Sequence, residues 1–189
     1  FKNDFLERLN EGLGCVFLHH SIAGWPLWDE YSNIIGGKFL YKSADLRGEK
    51  SSDSGYRHFV NYKVSSVSDH PITKGINDFQ IEDELYLFNV FEEDINPILK
   101  SDYKFIRDNF YSATNALNGE MTSNEGWEHP DGSNIVGWTK YYKKSAITYL
   151  QFGDGVKSYE NKSVRLLLKR SIDWVTKETK ELKKNQKLL

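Results

Sequence analysis

Cys15-Val16-Phe17-Leu18-His19-His20-Ser21-Ile22-Ala23-Gly24-Trp25-Pro26 is the stretch on which the fold turns. Its first four residues are a continuous apolar run, the pattern of a buried parallel strand. The run stops at His19-His20-Ser21. Pro26 then predicts the first turn of a new helix, with Leu27, Tyr31, Ile34 and Ile35 on one face and Gly36-Gly37 at its end. Upstream, Phe1, Phe5, Leu6 and Leu9 recur at helical spacing, so residues 1–11 read as an amphipathic helix closed by Gly12 and Gly14. The chain thus opens helix–strand–helix, with polar residues directly after the strand.

Working outward, residues 43–57 are polar and carry Gly48 and Gly55, so they read as one long loop. Residues 58–67 alternate as a strand does. Asp69-His70-Pro71 marks a turn, with His70 a turn residue. Phe79 to Phe91 reads as strand broken by Glu82-Asp83-Glu84, and Pro97 to Leu99 as a short strand. Residues 110–134 have weak periodicity. Ile135 to Trp138 and Ala146 to Phe152 read as strands joined through the polar Lys140 to Ser145 link. Val164, Leu167, Leu168, Ile172 and Val175 form the apolar stripe of a helix over about 161–180. This is an α/β sheet with an elaborated centre. Trp28 and Trp174 sit at helical positions and read as core. The lysine-rich end, residues 176–189, reads as a frayed tail.

The 189 residues suit one domain. A formal net charge of -2, with the basic excess confined to that tail, argues against nucleic acid as a partner. The single cysteine, Cys15, excludes an intrachain disulfide and a thiolate metal site. No apolar run approaches bilayer length, so no membrane partner is expected. The reducing-compartment pattern makes the cytoplasm the expected location. The chain begins at Phe1, inside a helical pattern, and its natural start is expected to lie further upstream.

Ligands of open α/β sheets bind beyond the carboxyl ends of strands. Two such ends carry polar residues: His19-His20-Ser21 after one apolar run, and Gln151-Phe152-Gly153-Asp154-Gly155 at the end of another. If the first strand continues through both histidines, they point to opposite sides and one of them supports rather than touches a ligand. His58 follows Asp53-Ser54-Gly55-Tyr56-Arg57, and His129 lies in Trp127-Glu128-His129-Pro130. Asp83 and Glu84, before Leu85-Tyr86, offer carboxylates. Imidazole serves near neutral pH as base, acid or metal ligand. Read singly, Trp25, Trp127 and Trp138 are packing residues as readily as contacts, and Asp154 serves a turn as readily as a ligand.

The ordered segments GCVFLHHSIAGW, DSGYRH, SDHPI, DELY, EGWEHPDGSNIVGW and YLQFGDG together resemble the ThuA-like (trehalose-utilisation) family, within the class I glutamine-amidotransferase-like superfamily. The resemblance spans nearly the whole chain. It implies a flavodoxin-like three-layer sandwich, lacking about two strand–helix units before residue 1, roughly 60 residues at about 30 per unit. Without them the Cys15–Leu18 strand or its neighbour would be an uncovered apolar edge, and association through it is expected. The register puts His19 at the amidotransferase nucleophile position and Gly153 and Gly155 where the paired His and Glu would stand. Cys15 lies four residues too early, so glutamine hydrolysis is not expected.

The resemblance also implies a carbohydrate ligand, trehalose, another disaccharide or a keto-sugar. His19, His20 and Asp154 are the expected catalytic groups. Trp25, Tyr56, Arg57 and His58 are expected substrate contacts from the first half of the chain. Glu84, Tyr86, Trp127, His129 and Gln151 are those from the second. No nicotinamide fingerprint is present, since Gly36-Gly37 lacks the spacing, and no organic cofactor is expected. Two alternatives stand beside an acid/base enzyme: a sugar-binding accessory module without turnover, and a hydrolase holding a divalent metal on two or three of His19, His20, His58, His129 and Asp154. A homo-oligomer or a sugar dehydrogenase of the same pathway is the expected macromolecular partner.

Overall fold

A computed structural model describes residues 1–185. Helix α1 spans Lys2–Glu11 and ends where Gly12 turns left-handed at φ 89°, its N–H returning to the Leu9 carbonyl. Strand β1, Cys15–Leu18, follows. A 3-10 turn over His19–Ala23 comes next, then helix α2, Asp29–Ile35. Tyr31, Ile34 and Ile35 are buried as expected, but Leu27 is 94% exposed. Pro26 sits in a tight turn closed by Trp28 N–H on the Trp25 carbonyl, not in the helix, so Leu27 points to solvent.

Strand β2 is Gly37–Lys38. The expected loop at 43–57 instead contains a hairpin, β3 Ala44–Leu46 and β4 Glu49–Ser51. Its two turn residues, Arg47 and Gly48, have φ of 54° and 85°, the twist that a two-residue hairpin requires. Arg47 also docks the hairpin, pairing with Glu93 at 2.8 Å and Asp94 at 2.5 Å, its guanidinium 3.5 Å from the Phe91 ring centre.

Strand β5, Gly55–Ser66, is the longest. Strand β6, Phe79–Leu87, runs unbroken through Glu82-Asp83-Glu84, where a break was expected. The acids are tolerated because each has a partner: Lys157 for Glu82, backbone N–H groups for Asp83, and histidines for Glu84. Strand β7 is Asn89–Val90, β8 Asn96–Ser101 and β9 Tyr111–Ser112, which leads into helix α3, Ala113–Leu117. Strands β10, Ile135–Tyr142, and β11, Ser145–Leu150, form a hairpin. The link expected from Lys140 shrinks to Lys143-Lys144. Lys140 is buried inside β10, its ammonium donating to the Asn33 carbonyl at 2.5 Å. Helix α4 is Val156–Glu160 and helix α5 Lys162–Asn185. The segment read as a frayed tail is therefore helical to Asn185, and residues 186–189 lie outside the described residues.

The main sheet has the order β1-β11-β10-β8-β5-β6, with β9 on the end of β5. Among the described residues only the β1–β11 ladder of this sheet is parallel; the others are antiparallel. Strand β1 stands at the sheet edge, and its four residues are half-buried. Alternation splits the sheet into two faces. Ala146 and Leu150 join one core with Val164, Leu167, Trp174 and Val175 of α5. Tyr149 joins Tyr31 and Ile35 of α2, and Ile147 joins Leu9 and Ile34, on the other. The result is helix, sheet, helix in three layers. Among the described residues no helix is long and apolar enough to cross a membrane.

Candidate functional site

The site is set by how β1 ends. Extended pairing stops at Leu18, and His19 takes φ 44°, unusual for a residue with a Cβ. A backbone this strained persists only where surrounding contacts over-determine it, commonly at functional sites. Those contacts are present: His19 is 6% exposed, its Nδ1 lies 2.8 Å from the Gln151 carbonyl, and its own carbonyl accepts the Tyr149 hydroxyl at 3.0 Å. The turn has a second consequence. His19 and His20 do not diverge to opposite sides, as a continuing strand would require. Both line one cavity of about 570 Å³.

Strand β6 supplies the floor. Glu84 and Tyr86, two residues apart, share the cavity face. Glu84 Oε2 lies 3.0 Å from His19 Nε2, and Tyr86 Oη lies 2.8 Å from the same nitrogen and 2.9 Å from His20 Nδ1. His20 Nε2 meets the Tyr41 hydroxyl at 2.8 Å. Strand β5 carries a bulge between Arg57 and Val60, a device that re-aims side chains near sites. It leaves Phe59 80% exposed and brings His58 Nδ1 to 3.2 Å from Glu84 Oε1. From the loop after β11, Asp154 places Oδ1 3.8 Å from His19 Nε2 and Oδ2 3.9 Å from His58 Nδ1.

That loop is held by Asp83, the residue beside Glu84 on the opposite face of the strand. Its carboxylate accepts N–H from Gly153 at 2.9 Å and from Asp154 at 3.2 Å. The roof is α3, contributing Ala113, Ala116 and Leu117, with Met121 beyond it. Buried Asp53 fixes the roof by accepting the Ser112 hydroxyl at 2.6 Å and the Thr114 N–H at 2.9 Å. The Tyr56 hydroxyl donates to the Met121 carbonyl. Phe39, Tyr41, Tyr56 and Tyr86 give the cavity aromatic walls.

The electrostatics follow from this packing. Burial alone would lower the His19 pKa, but the Glu84 carboxylate and the Gln151 carbonyl outweigh it and the net shift is upward. Burial would raise Glu84, yet hydrogen bonds from His19 and Tyr86 and the nearby His58 bring it below the usual carboxylate range. The two shifts agree on a buried His19–Glu84 ion pair. Burial and then the charge of Glu84 push the Tyr86 hydroxyl far up, so it remains a phenol and a donor.

Of the residues expected from the sequence, His19, His20, Asp154, Tyr56, His58, Glu84 and Tyr86 line the cavity. Five do not. Trp127 is 4% exposed in the core, its Nε1 donating to the Asp53 carbonyl at 3.0 Å. His129 packs on Trp127 and its Nδ1 meets the Pro130 carbonyl at 2.7 Å. The Arg57 guanidinium lies 4.4 Å from the Tyr111 ring centre. Trp25 stacks on Phe1 at 5.0 Å. Gln151 is fully buried and acts through its backbone carbonyl on His19. Phe39, Tyr41 and the α3 roof escaped the sequence reading, because they come from segments with no polar motif. Cys15 lies outside the cavity lining; burial pushes its thiol to about 11, and its Sγ donates to the Leu13 carbonyl.

The family model ThuA, described as trehalose utilisation, matches residues 1–175. A crystal structure of a ThuA-like protein from Parabacteroides merdae ATCC 43184 superposes with a TM-score of 0.64 at 16% identity, covering 92% of this chain and 64% of that one. A ThuA-like protein from Bacteroides uniformis ATCC 8492 gives 0.60 at 17% identity, covering 92% and 62%. These likenesses show a shared fold, the flavodoxin-like fold of such proteins. The chain spans less than two thirds of either neighbour's length. No curated protein matches it.

Proposed function

The chain belongs to the ThuA family, and on that premise we propose that its cavity takes a sugar, a disaccharide or its keto form, and acts on it by acid/base chemistry. The observation that carries this reading is the floor of the cavity. A buried His19–Glu84 pair, a protonated Tyr86 and the more exposed His20 meet within hydrogen-bond distance under aromatic walls. Sugars present apolar C–H faces and rings of hydroxyls, and such a surface suits aromatic side chains beside a few fixed polar groups. The volume of about 570 Å³ lies within the range of small-molecule sites.

The roles divide by accessibility. Both ring nitrogens of His19 are committed, to Gln151 and to Glu84, so His19 orients and carries charge. The ring of His20 is held by two phenols, Tyr86 and Tyr41, which can each donate or accept. His20 is therefore the proton-transfer group. A carbonyl on a keto-sugar acidifies the adjacent C–H, and an imidazole takes that proton near neutral pH without large tuning. Tyr86, held as a phenol, donates to the oxygen on which charge develops. Asp154, at the cavity mouth, accepts from sugar hydroxyls.

The test is turnover of a panel of disaccharides and their keto forms by the wild type and His20→Gln. The expected result is turnover of at least one keto form and a loss of about 10²–10⁴ in kcat for the variant. Binding without turnover of any member would reassign the cavity to an accessory binding module. Equal kcat in His20→Gln would remove His20 from the chemistry.

A further inference from the structure

We infer that the floor of this cavity is also a divalent-metal site, with His19 Nε2, Glu84 and Asp154 as the three protein ligands and one side open to the cavity. The inference deepens the proposed function, resting on the same cavity, but it is carried by separate observations.

The first is geometric. One ligand atom from each of His19, Glu84 and Asp154 lies within 4.8 Å of the other two. The His19 Nε2 distances are 3.0 Å to Glu84 Oε2 and 3.8 Å to Asp154 Oδ1. Two atoms each about 2.1 Å from a common ion stand about 3.0 Å apart at a right angle and about 3.4 Å apart at the tetrahedral angle. The two His19 Nε2 separations lie at and just beyond that range, so Asp154, on the exposed loop, must move toward the other two ligands to close the shell.

The second is orientation. A ligating histidine usually donates its other ring N–H to a carbonyl or carboxylate, which fixes the tautomer and aims the free lone pair. His19 meets this: Nδ1–H faces the Gln151 carbonyl at 2.8 Å, and Nε2, whose proton bridges to Glu84 in the metal-free ion pair, faces both carboxylates, so a bound ion would take the place of that proton. Glu84 is supported in turn, its second oxygen 3.2 Å from His58 Nδ1. Asp154 is held through its backbone by Asp83. Every proposed ligand thus has a partner behind it.

The third is charge and access. Asp83, Glu84 and Asp154 bring three carboxylates together, and Asp83 is fully used by backbone N–H groups. His19 and Glu84 are buried while Asp154 is exposed, so the open coordination positions face the ligand space. Three protein ligands with an open position is the arrangement of catalytic rather than structural sites. One imidazole with two carboxylates, and no thiolate, favours Zn²⁺ or Mn²⁺ over soft monovalent ions. Such an ion would bind a sugar oxygen directly, which selects substrates presenting a carbonyl or paired hydroxyls.

The experiment needs no sugar, so its failure is separable from failure of the sugar reading. The untagged protein is stripped with chelator and titrated with Zn²⁺ and Mn²⁺ by calorimetry. Wild type, Asp154→Asn, Glu84→Gln and His70→Gln are compared. His70 lines a different cavity, beside Trp174, and serves as control. Asp154 is exposed, so its variant tests the site without a folding defect. The expected result is one ion per chain in wild type and His70→Gln, and affinity at least about tenfold weaker in both carboxylate variants. No stoichiometric binding of either ion in wild type would overturn the proposal. Binding unchanged in Asp154→Asn would overturn it equally.

Discussion

Asp83→Ala separates support of the site from contact with its ligand. Asp83 is 5% exposed and lines no part of the main cavity, yet its carboxylate accepts N–H groups from Glu84 at 3.0 Å, Gly153 at 2.9 Å and Asp154 at 3.2 Å. Hydrogen bonds to a charged group contribute about 1.5–3 kcal/mol each, so simple addition would suggest a loss near the whole stability of a domain. The sum is too large, because Gly153 and Asp154 border solvent and water restores part of two of the bonds. The expected destabilisation is about 2–4 kcal/mol. For a domain of this size that lowers Tm by roughly 5–15 °C. Asp83→Asn keeps one good acceptor and should fall between wild type and Ala. Urea unfolding with matched m-values measures the difference. The released 153–154 loop should also move Asp154 away from His19 and weaken ligand affinity. An Ala variant within about 0.5 kcal/mol of wild type, the range of ordinary surface changes, would refute this reasoning.

Trp127→Ala should cost about 3–5 kcal/mol, as for other buried aromatics, because it empties a core position and frees the Asp53 carbonyl; denaturant melts check this. Asp53→Asn should weaken ligand binding without touching the ligand, since the Ser112 and Thr114 bonds that seat the α3 roof are loosened; a raised Kd with near-native circular dichroism is the expected signature. Cys15→Ser should leave activity unchanged, and no glutamine-dependent ammonia release should be detectable in either protein, because the thiol is held protonated and lies off the cavity.

Much of the site was legible because strand ends concentrate function in this class of sheet. The two histidines that follow the apolar run Cys15–Leu18 line the cavity under α3, and the Gly153-Asp154 loop lines it as well. The sequence could not show the φ of His19, which turns both histidines to one side, nor the β5 bulge that aims His58 at Glu84. Both are backbone irregularities stabilised by distant partners. The same limit explains Trp127 and His129. Their motif looked like a binding loop, but the space above Gly55 draws the indole inward, where a Cβ on Gly55 would come within 2.5 Å of its ring. Three acids in a row oppose burial, so the sequence alone predicts a break in strand β6. Partners supplied by Lys157, the 153–154 backbone and two histidines reverse that preference.

The central claim is that the cavity under α3, with Glu84 and His19 at its floor, is where a sugar binds. Calorimetric titration of trehalose, other disaccharides and their keto forms into wild type and Glu84→Gln tests it most directly. The account predicts saturable binding of at least one such sugar in wild type, weakened at least about tenfold in a folded Glu84→Gln, as expected when a buried charged hydrogen-bond partner is removed. Sugar binding of equal strength in the two proteins, or none in wild type, would contradict it.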